Sequence, residues 1–173
     1  LLGDLVDIAA IESGNIELEV SEVDYKKFIL SILKPKKSIG NEKKIQFVSI
    51  IPDNLPAVFL DERKITQVIN NLIDNAVKFI SKEGIIEISV EVKKRSIITK
   101  IIDNGPGISK EDQKYIFDKY RRVKRQKSST EGSGLGLSIV KSIIETHRGT
   151  VDVESSLGHG ACFSFTLPLY FDL

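Results

Sequence analysis

Residues 61–80 read DERKITQVINNLIDNAVKFI. Ile65, Val68, Ile69, Leu72, Ile73, Ala76 and Ile80 recur at three and four residues, so on a helix they form one continuous apolar stripe. Such a stripe has to lie on something, and the flanking sequence offers strands. Ala57 to Leu60 precedes it, while Ile85 to Val92 and Ile97 to Ile102 follow and alternate as a hairpin across KKRS at 93–96. The helix also carries a polar row: Asn71, Asn75 and Lys78, four and three residues apart, line up beside the stripe at the edge of the core.

Working outward, Leu1, Leu2, Leu5, Ile8, Ala9 and Ile11 read as the last turns of a helix stopped by Glu12, Ser13 and Gly14. IELEV at 16–20 alternates as a short strand, Val23 to about Gly40 reads as a helix interrupted near Pro35, and Ile45 to Ile51 is a strand closed by PDNLP. After the hairpin come DNGPG, a short helix from about Ser109 to Phe117, and KRQKSSTEGS at 124–133, polar enough to be expected as a mobile loop. A helix over Ser138 to His147 and strands at about 150–154 and 161–168 complete the pattern. Strands before and after helices, joined by hairpins rather than in strict alternation, predict an α+β fold, a two-layer sandwich of a mixed sheet with helices on one face.

With 25 basic and 24 acidic residues the net charge is +1, which gives no global field for nucleic acid or an anionic membrane surface. The single cysteine, Cys162, excludes an internal disulfide and a multi-cysteine metal site. No run approaches the roughly 18 apolar residues of a membrane span. A start at Leu1 without any methionine leads us to expect a piece excised from a longer protein.

Three stretches could carry chemistry. The Asn71, Asn75, Lys78 row suits Mg²⁺ and phosphate, because an amide oxygen is a hard neutral ligand and an ammonium is a compact cation; amides and lysines also border apolar faces routinely. DNGPGI at 103–108 leaves a strand with Gly105 and Gly107 flanking Pro106, as a tight turn requires. Asp103 at the end of an apolar strand needs a donor; an adenine amine is one, and a guanine carbonyl would be repelled. In EGSGLGLSIV at 131–140, Gly132, Gly134 and Gly136 run into a helix, as a loop with a cap or as space for an anion at unpaired N–H groups. That run lacks the Gly-Lys-Ser/Thr ending of a P-loop and the spacing of a Rossmann motif.

Together QVINNLIDNAVKF, IIDNGPGIS, IFDKYRRV and EGSGLGLSIVKSIIETHRG resemble, in order, the N, G1, F and G2 boxes of the ATP-binding domain of sensor histidine kinases, with GHGACFSFTLPL similar to the closing hairpin. The resemblance implies a Bergerat-type fold over 16–170, with 1–15 as the end of a dimerisation helix. It implies that Asn75 holds Mg²⁺ and that Asn71, Lys78 and Arg122 contact the metal site or phosphates, these four forming the catalytic set. Phe79 would line the nucleotide pocket, Asp103 would read adenine, Gly105 and Gly107 would shape the pocket floor, and Ile108 would belong to the ATP-binding set. Gly132, Gly134 and Gly136 would let the lid and helix start approach the triphosphate, with Ser133, Leu135, Leu137 and Tyr120 also in the ATP-binding set. A lid from about Asp118 to Ser133 would be anchored by Phe117 and Tyr120.

The implied activity is transfer of the ATP γ-phosphoryl group to a histidine of an upstream dimerisation domain in two-component signalling. The implied partners are that domain, through which the full-length protein is a homodimer, and a response regulator. The present chain is expected to be monomeric and cytoplasmic, without membrane contact. Arg148 departs from the family at a position that often holds glycine, and no acceptor-histidine box is present. His147 and His159 read as structural. ATPases of the gyrase and chaperone type, which resemble the same fold, carry a glutamate where this chain has Asn71, and an amide cannot take a proton from water. A serine kinase of the anti-sigma-factor type fits the boxes but not a helix remnant at 1–14, and an interaction module without transfer activity stays open.

Overall fold

The computed structural model describes residues 17–80, 83–119 and 134–169. The expectations for residues 1–15 and for Tyr120, Arg122, Gly132 and Ser133 fall outside this range.

Elements follow in the order β1 (Ser21–Val23), α1 (Tyr25–Lys43), β2 (Gln46–Ile50), β3 (Val58–Leu60), α2 (Glu62–Phe79), β4 (Ile85–Lys93), β5 (Ser96–Asp103), α3 (Lys110–Gln113), α4 (Gly136–Thr146), β6 (Val151–Ser155) and β7 (Ala161–Pro168). Five strands form a mixed sheet in the order β2-β4-β5-β7-β6, parallel only between β2 and β4; β1 and β3 pair separately and antiparallel.

Register sets up the two faces. Ile88, Ile101, Phe163 and Val153 stand side by side across four strands, as do Val90, Thr99, Phe165 and Val151. These residues form the core face of the sheet, where Thr99 shares a 2.6 Å hydrogen bond with the Tyr25 hydroxyl of α1, and all but Val151 are buried. Intervening positions such as Glu87, Lys100, Ser164 and Asp152 alternate onto the opposite face, where Lys100 pairs with Glu91 at 2.7 Å. The sandwich is therefore two-layered, as the sequence pattern predicts.

α2 starts where its capping residue permits. Asp61, in extended conformation, accepts from the N–H groups of Arg63 and Lys64, both at 3.0 Å, and its other oxygen accepts from Glu19 N–H at 2.9 Å. Ile65, Val68, Ile69, Leu72 and Ile73 are then fully buried. Burial of each is worth about 1.5–3 kcal/mol.

Four expectations change in detail. Of the strand expected at 16–20, residues 17–20 are not in a strand; pairing among the described residues starts at Ser21, because β3 offers only Val58–Leu60 as a partner, and Glu19 is spent on the Asp61 cap. α1 begins at Tyr25, with Asp24 accepting from Lys27 N–H at 3.1 Å, and runs through Pro35 without interruption. Pro35 is exposed, beyond the residues Tyr25, Phe28, Ile29, Ile32 and Leu33 that bury this helix, so tertiary packing outweighs the lost bond. The helix expected over 109–117 is only one turn, capped by Ser109, and Phe117 instead turns edge-on to Phe163 with ring centroids 6.3 Å apart. α4 begins at Gly136, two residues before Ser138.

Candidate functional site

α2 lies between the two glycine runs. Towards its middle, Asn71 is half-buried and its Nδ2 donates to the Gly136 carbonyl at 3.4 Å, touching the first residue of α4. At its end, Ile80 lies under the DNGPG loop: a Cβ on Gly105 would sit 3.7 Å from Ile80 Cγ1. Asn75 and Lys78, half-buried, fall between these two contacts on the same helix. The Lys78 ammonium is 5.4 Å from the centroid of the Phe79 ring, which is 43% exposed and so offers a broad apolar surface beside a cation.

Asp103 ends β5 half-buried, directly opposite Ala161 of β7 and Ile86 of β4. Its Oδ1 accepts from Gly105 N–H at 2.8 Å, a local turn that supplies the donor a carboxylate needs there. A Cβ on Gly105 would come within 2.6 Å of that oxygen, so the aspartate and the glycine belong to one turn. An ionised carboxylate accepts about four hydrogen bonds, and one N–H does not exhaust it. Asn104 extends the sheet by one pair, its Oδ1 accepting from Ile85 N–H at 2.8 Å.

The glycines separate by what requires them. Gly107, at φ +72°, would collide with the Ser156 carbonyl if it carried a Cβ, and Gly160, at φ +78°, with the carbonyl of Asp103; the fold itself demands both. Gly134 stands at φ +71°. Gly136 differs: among the described residues its Cβ would meet nothing nearer than Asn71 Cγ at 3.7 Å, an ordinary contact. The described residues leave room for a methyl group at the first residue of α4, where glycine weakens the helix.

The helix start is unusual in a second way. Leu135 stands at the cap position, makes no side-chain cap bond, and buries its side chain in the core at 4% exposure. Leu137 packs partly against the core. With its side chain in the core, Leu135 can offer a ligand only its main chain, at the end of a helix where N–H groups and dipole favour an anion.

Sequence reasoning missed two side chains that hold the DNGPG loop. Buried Ser155 accepts at Oγ from Ile108 N–H at 2.8 Å and donates to the Gly160 carbonyl at 2.5 Å. Gln113 Nε2 donates to the carbonyls of Ile108 at 2.7 Å and Ser155 at 3.0 Å. These partners lie up to 47 residues apart, and no local pattern announces them.

His147 sits at the other end of α2, fully buried, with Nδ1 donating to the Ile143 carbonyl at 2.8 Å and Nε2 accepting from Asp61 N–H at 3.1 Å. Both ring nitrogens are engaged inside the fold. A cleft of about 470 Å³ lined by Glu22, Asp24, Lys26, Leu30, Asp53 and Leu55, among others, includes none of the residues converging on α2, and Lys26 and Asp53 pair across it. Among the described residues no cluster of three or more His, Cys, Asp or Glu side chains could hold a metal, and no helix is long and apolar enough to cross a membrane.

An Asn-bearing helix between a strand-end aspartate loop and a glycine-opened helix is an arrangement shared with known proteins. Residues 60–170 match the family model described as histidine kinase-, DNA gyrase B-, and HSP90-like ATPase. The chain belongs to this family. Within it, the chain is 37% identical over 171 residues to the adaptive-response sensory kinase SasA of Gloeothece citriformis (strain PCC 7424), an alignment covering 98% of this chain and 43% of that protein. The chain thus spans less than half the length of this curated relative. Full-length ShkA in complex with AMPPNP superposes with a TM-score of 0.85 at 28% identity, over 96% of this chain and 34% of that one. Histidine kinase ThkA in complex with response regulator protein TrrA gives 0.76 at 25% identity, over 98% and 48%. The residues matched to this ATPase family include α2, the 103–108 loop and the start of α4.

Proposed function

We propose that this chain is the catalytic domain of a protein-histidine kinase: it binds ATP with Mg²⁺ against α2 and delivers the γ-phosphoryl group to a histidine on a separate dimerisation domain. The observation that carries this reading is Gly136. Packing among the described residues does not require a glycine there, so the missing side chain makes sense as room for a phosphate against a helix start with no side-chain cap. The nucleotide-bound state of ShkA supports the choice of ligand.

In this reading Asp103 accepts from the adenine amine, Phe79 and Ile108 contact the base or ribose, and Lys78 sets a point charge on the phosphates. The divalent ion fits residues that do not form a metal cage. Asn75 would hold it through a single hard amide oxygen, the remaining ligands being phosphate oxygens and water, as Mg²⁺ prefers. When bound, the ion neutralises charge developing on the transferred group. Arg122, Tyr120 and the 118–133 lid would close over the nucleotide.

Transfer rather than hydrolysis follows from Asn71, which cannot act as a base toward water. His147 is unsuited as acceptor because its ring is buried with both nitrogens bonded. An imidazole in line with the γ-phosphate would come from outside, in keeping with a dimerisation domain preceding residue 16, and a response regulator would receive the phosphoryl group next; histidine kinase ThkA forms a complex with response regulator protein TrrA.

Incubation with γ-labelled ATP tests this. The chain alone should bind ATP and stay unlabelled, and a dimerisation domain from the same parent should become labelled with acid-labile phosphate. Stoichiometric label on His147 or His159 would overturn the assignment. Calorimetry should show ATP preferred over GTP, with the preference removed in Asp103→Ala.

A further inference from the structure

We propose that Ser155 is a positioning residue for base recognition: its hydroxyl fixes the segment Asp103–Ile108 to the β6–β7 turn and thereby aims the Asp103 carboxylate. The inference rests on the reading that Asp103 accepts from adenine.

The turn between β6 and β7 holds that segment along its whole length. At the start, Gly160 lies against the Asp103 carbonyl so closely that no side chain fits between them. In the middle, Gly158 N–H donates to the Pro106 carbonyl at 2.9 Å, and Gly107 abuts the Ser156 carbonyl. At the end, Ser155 Oγ accepts from Ile108 N–H at 2.8 Å. The same hydroxyl donates to the Gly160 carbonyl at 2.5 Å, so one atom couples the exit of the loop to the residue that braces its entry. Gln113 doubles the link by bonding the carbonyls of both Ile108 and Ser155. Ser155 is 8% exposed, and its alternation onto the inward face puts it in one row with Ala161 and Asp103 across three strands.

The consequence is chemical as well as structural. Asp103 is held to its loop by a hydrogen bond to Gly105 N–H, so its orientation follows that of the loop. Removing the Ser155 hydroxyl leaves Ile108 N–H and the Gly160 carbonyl without their shared partner, and loosens both ends of the segment at once. A loosened carboxylate reads the base less sharply, while the phosphate end of the site, on α2 and α4, is unaltered.

The test compares ATP with purine riboside 5′-triphosphate, which lacks only the exocyclic amine, by competition binding to the 173-residue chain. Both nucleotides need the same folded protein, so their affinity ratio is insensitive to a mere loss of stability. Wild type should prefer ATP, Ser155→Ala should reduce the preference by about tenfold, the scale of one buried hydrogen bond lost, and Ser155→Thr should retain it. An unchanged ratio in Ser155→Ala overturns the inference and leaves the Asp103 reading standing. Equal affinities in the wild type overturn the Asp103 reading and the inference with it. Should Ser155→Ala fail to fold, Gln113→Ala, on the surface turn of α3, decides in the same way: a reduced ratio supports the clamp and an unchanged one overturns it.

Discussion

His147 Nε2 accepts a hydrogen bond from the main-chain N–H of Asp61 at 3.1 Å, joining the end of α4 to the cap of α2. With Nδ1 donating to the Ile143 carbonyl, the ring is the neutral Nδ1–H tautomer. Burial pushes its pKa below the ordinary histidine value, opposed by the Ile143 carbonyl and the Asp61 carboxylate. A histidine held below its unfolded pKa contributes stability that is complete above that value, about 6.5, and drains away as pH falls towards the folded one. The thermal midpoint should fall as pH is lowered from about 7 to 5, before carboxylates titrate. His147→Gln should lose about 1–3 kcal/mol and flatten that slope; a slope unchanged in this variant would assign it to other groups.

Asn75→Ala separates site from scaffold. The amide is half-buried beside the stripe rather than in it, so the loss of stability should stay below about 1 kcal/mol. Phosphoryl transfer to a supplied dimerisation domain should fall by about a hundredfold or more. Wild-type transfer would make Asn75 an ordinary helix-face amide.

Two glycine substitutions should behave oppositely. Gly136→Ala has space for its methyl and gains helix propensity, so it should fold with up to about 1 kcal/mol more stability yet bind ATP more weakly. Gly160→Ala meets the Asp103 carbonyl at positive φ and should lose at least about 2 kcal/mol. Denaturant titration with nucleotide binding on the same samples measures both; undiminished ATP affinity in Gly136→Ala would remove the phosphate from the start of α4.

Arg148 occupies left-handed backbone, φ +58°, just past the end of α4, where its N–H reaches the Glu145 carbonyl at 2.9 Å and Gly149 N–H the Ile144 carbonyl at 2.9 Å. Glycine is the residue this closing turn favours. Arg148→Gly should raise stability by about 0.5–1 kcal/mol in denaturant titration. A loss instead would mean that the arginine side chain contributes more than its backbone costs.

What the sequence made legible was local. The stripe of α2 and the alternation of β4 and β5 each follow from neighbours within a few residues, and each formed close to its expected limits. The glycine runs pointed to a candidate site, but their spacing could not distinguish Gly107, demanded by the Ser156 backbone, from Gly136, which no atom of the described residues demands. That difference depends on what stands opposite in space. The same reason hides Ser155 and Gln113, whose partners come from distant segments. It also explains the misplaced first strand: IELEV alternates well, yet a strand exists only where another offers a ladder, and β3 ends at Leu60.

Among the described strands of the sheet β7 is made after the others, yet it lies between β5 and β6, in the interior rather than at a margin. Its pairing with β5 closes contacts across 58 to 72 residues, the kind of long-range step that slows folding. A ribosome that stalls before Ala161 therefore releases a chain whose sheet is split and whose Asp103 has no strand beside it on that side. Such a product keeps every residue of α2 and the start of α4 but lacks the strand that pairs with Asp103 on one side. On the proposed reading, full recognition of the base becomes a late event in synthesis, reached when β7 has slid into place.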